Sequence, residues 1–202
     1  KYLARPDSKT IGILGCGVQG ESNLEALMTV RGKVETVFAY DVSPRRAEQY
    51  VEKMKERYPG TEFVKTDKPK DAVADSDIIV TAGPIRMDPE QTIEAEWFKE
   101  GAFASPVDFD SYWKPQAMHL ADKYCTDDIS QLLHYKHMGY FKDIPEVYAD
   151  LGEIAAGKKA ARENGRERII SANLGLALDD IAVGAILYER AVRMKIGIEL
   201  PL

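Results

Sequence analysis

The chain has 202 residues, 45% hydrophobic and 30% charged, with 27 basic against 33 acidic side chains for a formal net charge of −6. This is the composition of an ordinary globular protein of one large or two small domains, with no basic stripe to make nucleic acid a partner. No apolar run approaches the roughly 18 residues of a membrane span, and the opening "KYLARPDSKT" lacks the apolar core of a signal peptide.

Position 1 is Lys, and residues 1–8 read as the end of a preceding helix followed by a linker, so an excised domain is expected. Short β-rich runs then alternate with helical patterns, which predicts βα units on a parallel sheet. "KTIGILG" (9–15) is a strand and "GESNLEALMTVRG" (20–32) the helix after it. "ETVFAYD" (35–41) is a second strand, ending on an acid. The helix over 43–60 opens with Ser43 as N-cap and Pro44 at its first position, and closes on Pro-Gly. "TEFVKT" (61–66), "DIIVTAG" (77–83) and "GAFASPVDFD" (101–110) supply three more strands, with a short helix around "KPKDAVADS". Their near-continuous apolar runs suit strands covered on both faces. A sixth strand is expected near 123–127, a mostly helical surface stretch over 128–160, and a seventh strand over 166–175. An amphipathic helix over 177–197 carries Ile181, Ala185, Tyr188 and Val192 at helical spacing. The expected architecture is therefore α/β: a Rossmann-type, doubly wound, mostly parallel sheet over 9–175, flanked by a linker (1–8) and a C-terminal helix (176–202).

"GILGCGVQGE" places Gly15, Gly17 and Gly20 in a G-x-G-x-x-G pattern between a strand and a helix, the context in which that pattern carries weight. Gly15 permits the tight turn, Gly17 lets the backbone approach a pyrophosphate, and Gly20 permits close packing of helix on strand. The following helix begins around Val18 and Gln19 and turns its N–H groups and positive dipole end toward the phosphates. Asp41 lies about 20 residues further on, where a carboxylate hydrogen-bonds a ribose 2′-hydroxyl and repels a 2′-phosphate. The cofactor reading is NAD, although Arg45 and Arg46 follow closely and could compensate the charge of a 2′-phosphate. Thr81 and Ala82 fall at the carboxyl edge of the sheet, where ligands of open α/β sheets bind; Thr81 could equally cap the next element.

"KYLARPDSKTIGILGCGVQG", with Gln19 inside the turn, together with "DSDIIVTAG" and "ANLGLALDDIAVGAILYERA", resembles the ornithine cyclodeaminase/mu-crystallin family over nearly the whole chain. The resemblance implies a nucleotide-binding domain from a two-domain protein, homodimeric at full length, whose substrate domain is built mainly from an N-terminal part. It implies that the Arg and Lys that bind the substrate carboxylate lie outside this chain. It places the catalytic acid at Asp110, with Asp108 as the rival, and cofactor contacts at Lys114 and Asn173. The plainer readings are a helix N-cap for Asp110, a solvated side chain for Lys114 and a turn residue for Asn173. "VDF" stands where the family usually has small residues before the acid, and "SYW" follows, so a bulkier pocket is expected.

The activity implied is NAD-dependent conversion of L-ornithine to L-proline and ammonia. The substrate gives up its α-hydrogen as hydride, the δ-amine closes on the resulting imine, and the same hydride is returned. The alternatives are an alanine-type amino-acid dehydrogenase or ketimine reductase, and a non-catalytic NAD(P)-binding protein of the mu-crystallin kind. Partners are a small amino-acid substrate, with no nucleic acid and no membrane. No metal is expected: His134 and His137, with His119 and Cys125 upstream, do not form a convincing ligand set. Cys16 is read as a small buried residue, and Tyr112, Trp113, Tyr135, Tyr140 and Phe141 as core or interdomain packing before cleft lining. Two cysteines without a disulfide framework suit a reducing cytoplasm.

Overall fold

The computed structural model describes residues 1–198 and residue 200. Its frame is an eight-stranded sheet in the order β3-β2-β1-β4-β5-β8-β6-β7. The strands are β1 (Thr10–Leu14), β2 (Thr36–Tyr40), β3 (Glu62–Lys65), β4 (Ile78–Thr81), β5 (Phe103–Pro106), β6 (Lys123–Thr126), β7 (Val147–Asp150) and β8 (Ile169–Ala172). All their pairings are parallel. Alternation of side chains along a strand divides the core between the two faces. On β4, Ile78 and Val80 pack with Ile11, Ile13, Leu24 and Met54, whereas Ile79 packs with Leu14, Phe98, Trp113 and Ile170.

The crossover helices follow their sequence punctuation. Helix α1 (Val18–Arg31) starts after Gly17, two residues earlier than its pattern suggests, and stops at Gly32. Helix α2 (Pro44–Arg57) starts at its proline and buries Ala47, Tyr50, Val51 and Met54 on one stripe. Helix α3 (Pro69–Val73) leads into β4, and helix α4 (Pro115–Met118) into β6.

Two expectations are corrected. Residues 1–8 form turns instead of the end of a helix, with Leu3 packed on Cys125, Ala149 and Ile169. The stretch 128–160 holds only two short helices, α5 (Ile129–His137) and α6 (Leu151–Ala155), with β7 between them pairing to β6. Strand and helix abut at Asp150, which ends β7 and caps α6 in a capping box with Glu153. A four-residue edge strand running directly into a capped turn has no room to display a period of two. Helix α7 (Ala177–Met194) forms as expected, but its apolar stripe is uncovered: Ile181 is 71% and Tyr188 72% exposed. Of the expected C-terminal unit 176–202, residues 199, 201 and 202 lie outside the described residues. No described helix is long and apolar enough to cross a membrane.

Candidate active site

The site lies at the carboxyl edge of the sheet around β1 and β4, where the strand order switches direction. The turn after β1 depends on three glycines for three different reasons. Gly15 has φ +103° and packs so closely on the 82–83 peptide that a Cβ would sit 2.5 Å from the Ala82 carbonyl oxygen. At Gly20 a Cβ would sit 2.2 Å from the Gly15 carbonyl oxygen, so any side chain would drive α1 off the turn. Gly17 faces open space, with no atom within 4 Å of where its Cβ would be. Gly17 makes no side-chain cap, Val18 is 82% exposed and Gln19 is also exposed, so the first N–H groups of α1 face an open edge.

Asp41 binds this turn to the end of β2. Its Oδ2 accepts the Cys16 N–H at 2.9 Å and its Oδ1 the Ser43 N–H at 2.8 Å. A carboxylate has about four acceptor positions, so each oxygen keeps capacity for a hydroxyl. Arg45 and Arg46 are exposed on α2. Cys16 is buried, its thiol directed at the Tyr40 carbonyl; burial, then the Asp41 charge, pushes it up to about 12. It is no nucleophile at neutral pH. An uncapped helix start, a cradle with space for a phosphate and an acid with spare acceptors together fit a dinucleotide.

Thr81 is fully buried and faces inward, its hydroxyl donating to Asp108 Oδ1 at 2.6 Å and accepting from Trp113 Nε1 at 3.3 Å. Asp108 Oδ2 accepts the Gly83 N–H at 2.8 Å. Asp108 has no solvent exposure, and burial pushes its carboxyl up to about 6 against the pull of the Thr81 and Gly83 donors. Asp110 is 6% exposed and points elsewhere: Gln91 Nε2 donates to its carbonyl at 3.0 Å and, more loosely, to its Oδ2 at 3.4 Å. Burial raises the Asp110 carboxyl above the usual range, opposed by main-chain N–H groups of its own and of Phe141, and by Lys142.

The two acids diverge because Phe109 between them has φ +62°. A non-glycine residue in that region costs about 1–2 kcal/mol. Burying the Phe109 ring against Tyr135, Tyr140 and Phe141, with centroids 4.9–5.3 Å away, contributes about 2–3 kcal/mol, enough to hold it. Trp113 and Phe141 are wholly buried in the core, while Tyr112 is part-exposed and lies against Gly83.

Two expected cofactor contacts face other partners. Lys114 Nζ pairs with Glu94 at 2.5 Å. Asn173 donates from Nδ2 to Ser105 Oγ at 2.9 Å and accepts from Ser171 at 2.9 Å, bracing β8 against β5. The turn after it is held by Asp127, which accepts the N–H groups of Leu174 and Gly175. Sequence reasoning missed Gly83, Gln91 and the pairing of Asp108 with β4. The only signal for them was the alternation of Asp108, Asp110 and Tyr112 after β5. His119 pairs with Asp143, His134 and His137 are exposed, and the described residues contain no group of three or more metal-ligating side chains.

This arrangement of glycine turn, Asp41 and buried acids can be set beside known proteins. The profile of the ornithine cyclodeaminase/mu-crystallin family matches residues 1–195. The chain belongs to this family. Its relatives include the N-((2S)-2-amino-2-carboxyethyl)-L-glutamate dehydrogenase of Staphylococcus aureus, 28% identical over all of this chain and 61% of that protein. The alanine dehydrogenase of Archaeoglobus fulgidus is 31% identical over 98% of this chain and 61% of its own length. Among solved structures, the Thermococcus litoralis Δ1-pyrroline-2-carboxylate reductase in complex with NADH and L-proline superposes with a TM-score of 0.86. It is 29% identical, and the match covers 98% of this chain and 63% of that one. The chain thus spans about three fifths of the length of the relatives it matches.

Proposed function

We propose that this chain is the nucleotide-binding part of an NAD-dependent enzyme that acts on an α-amino acid or its imine, with Asp110 as general acid and base. The observation that carries the reading is a dinucleotide cradle joined, through residues 81–83, to the buried acid Asp108, two residues before the buried Asp110. Gly15, Gly17, Val18, Gln19 and Gly20 would hold the pyrophosphate and Asp41 the ribose hydroxyls, with Thr81 and Ala82 beneath the nicotinamide side. When bound, the nicotinamide supplies hydride acceptance and donation. The protein's own part is to orient the cofactor and to move protons. Burial raises the Asp110 carboxyl above the usual carboxylate range, which makes its carboxylate a stronger base toward the proton of an amine or a water. Asp110 is favoured over Asp108 for this by the family resemblance and because Asp108 has no solvent exposure, its carboxylate facing Thr81 and Gly83.

The finer reading, from the family resemblance, is cyclisation of L-ornithine to L-proline with loss of ammonia. A second reading, reversible oxidation of an amino acid or reduction of a cyclic imine, is favoured by the names of the relatives near 30% identity. Helix α7 is proposed to lay its uncovered apolar stripe against the substrate domain of a homodimeric full-length protein. The full-length protein is to be incubated with NAD⁺ and a panel of amino acids, following NADH absorbance and proline formation. Proline from ornithine without net NADH supports cyclodeamination, and NADH accumulation with an amino acid supports the dehydrogenase. Asp110→Asn is expected to abolish turnover while NADH affinity stays within about twofold. NADH binding with turnover of nothing on the panel would leave the non-catalytic reading.

A further inference from the structure

The buried acid Asp108 and the aromatic Tyr112 stand two residues to either side of Asp110, and neither role follows from the dinucleotide cradle. Their common target is the peptide between Ala82 and Gly83. On one side this peptide packs on Gly15, whose Cβ position lies 2.5 Å from the Ala82 oxygen and 3.1 Å from the Gly83 nitrogen. On the other, Asp108 Oδ2 holds the Gly83 N–H at 2.8 Å. The Tyr112 ring covers the Gly83 Cα so closely that a Cβ there would be 2.6 Å from Tyr112 Cε2. Trp113 Nε1 and the Thr81 hydroxyl complete the chain of hydrogen bonds that ends on Asp108 Oδ1.

We propose that Asp108 and Tyr112 are positioning residues that clamp the 82–83 peptide, and through it the dinucleotide turn, at a fixed distance from the acid Asp110. The inference rests on the reading of Asp110 and the cradle given above. The left-handed Phe109 lets one short segment serve both ends: it turns Asp108 toward β4 while leaving Asp110 free of β4. Gly83 has no positive φ, so its missing side chain answers to the Tyr112 ring and not to backbone conformation. A small displacement of an acid from its reaction geometry costs far more in rate than in binding, so a clamp of this kind is read in kcat.

The role is one of hydrogen-bond geometry, not of charge, and that separates it from Asp108 being the acid itself. Asp108→Asn keeps an oxygen for the Gly83 N–H and presents an amide to Thr81, whose hydroxyl can accept. Asp108→Ala keeps neither. In the full-length protein, Asp108→Ala is expected to lower kcat at least tenfold, with the amino-acid KM within threefold and the NADH Kd raised about fivefold. Asp108→Asn should restore kcat to within threefold of the wild type. Tyr112→Phe should match the wild type, while Tyr112→Ala and Gly83→Ala should follow Asp108→Ala.

An Asp108→Asn enzyme as inactive as Asp108→Ala would overturn the clamp, because Asp108 would then act through its proton or charge. Full kcat in Asp108→Ala would overturn it equally. If the wild type turns over nothing, or Asp110→Asn keeps its activity, the reading of Asp110 fails and NADH affinity alone judges the clamp. A fivefold weaker Kd in Asp108→Ala, with Asp108→Asn unchanged, supports it, and equal affinities in all three proteins refute it. Circular dichroism of each variant guards against global unfolding, and Tyr112→Ala supplies an independent route should Asp108→Ala fail to fold.

Discussion

Replacing Asp108 by Asn should make the protein more stable at pH 7 and less stable at pH 4. Burial pushes the Asp108 carboxyl from its usual 3.8 up to about 6. Between those values the folded state keeps a proton that the unfolded chain has released, so Asp108 lowers stability as the pH rises through that window. Each pH step of one across the window costs about 1.36 kcal/mol, so the full penalty above pH 6 is about 3 kcal/mol. The amide carries no such penalty. It does leave the Thr81 hydroxyl proton without its acceptor, which costs about 1 kcal/mol. The variant is therefore expected to be about 2 kcal/mol more stable than wild type at pH 7, with the two curves crossing between about pH 4 and 5. Urea unfolding of the cofactor-free full-length protein, followed by tryptophan fluorescence from pH 4 to 8, measures the difference directly. Groups shifted the other way, such as Asp77, are common to both proteins and cancel in the comparison. A pH-independent difference, or a variant less stable at pH 7, would refute the claim that Asp108 is a buried charge held at the expense of stability.

Asp41→Ser should weaken NADH binding and relax discrimination against NADPH, measured by paired fluorescence titrations; an unchanged preference would remove Asp41 from the ribose site. Gly20→Ala places a methyl 2.2 Å from the Gly15 carbonyl oxygen and should reduce NADH affinity at least a hundredfold while the chain still folds, as read by calorimetric titration and circular dichroism. Burial pushes the thiols of Cys16 and Cys125 up to about 12, so neither should react with an aromatic disulfide reagent at pH 8 until denaturant is added. Rapid labelling of Cys16 in the native protein would mean that the glycine turn opens far more often than its packing allows.

Much of the fold could be read in the chain because its determinants are local. The strands around the site are short apolar runs, and α2 carries its own proline start. The turn after β1 needs glycine for the local reasons of the Gly15 φ and the Gly20 approach to the Gly15 carbonyl, although Gly15 also packs on the distant 82–83 peptide. The Gln19 turn, the Asp110 segment and the closing "ANLGLALDD" pointed to the family whose profile covers residues 1–195. Strand β7 escaped because an edge strand needs neither a long apolar run nor clear alternation, and its last residue also serves as a helix cap. Lys114 and Asn173 were expected as cofactor contacts from the family resemblance, and their side chains answer instead to Glu94, Ser105 and Ser171.

By itself the sequence determined the order of βα units, the glycine turn and its acid partner, and the stretch in which the two neighbouring acids stand. These depend on residue type and spacing over a few positions, which the chain states outright. Only the tertiary structure decided which way Asp108 and Asp110 face. That choice rests on one left-handed residue, Phe109, and on aromatic partners near positions 135 and 141 that hold it there. It likewise rests on hydrogen bonds from Thr81 and Gly83, more than twenty residues away in the chain. Contacts of that range follow no periodicity, so the opposite facing of two neighbouring acids emerges only once the sheet has brought β4 and β5 side by side.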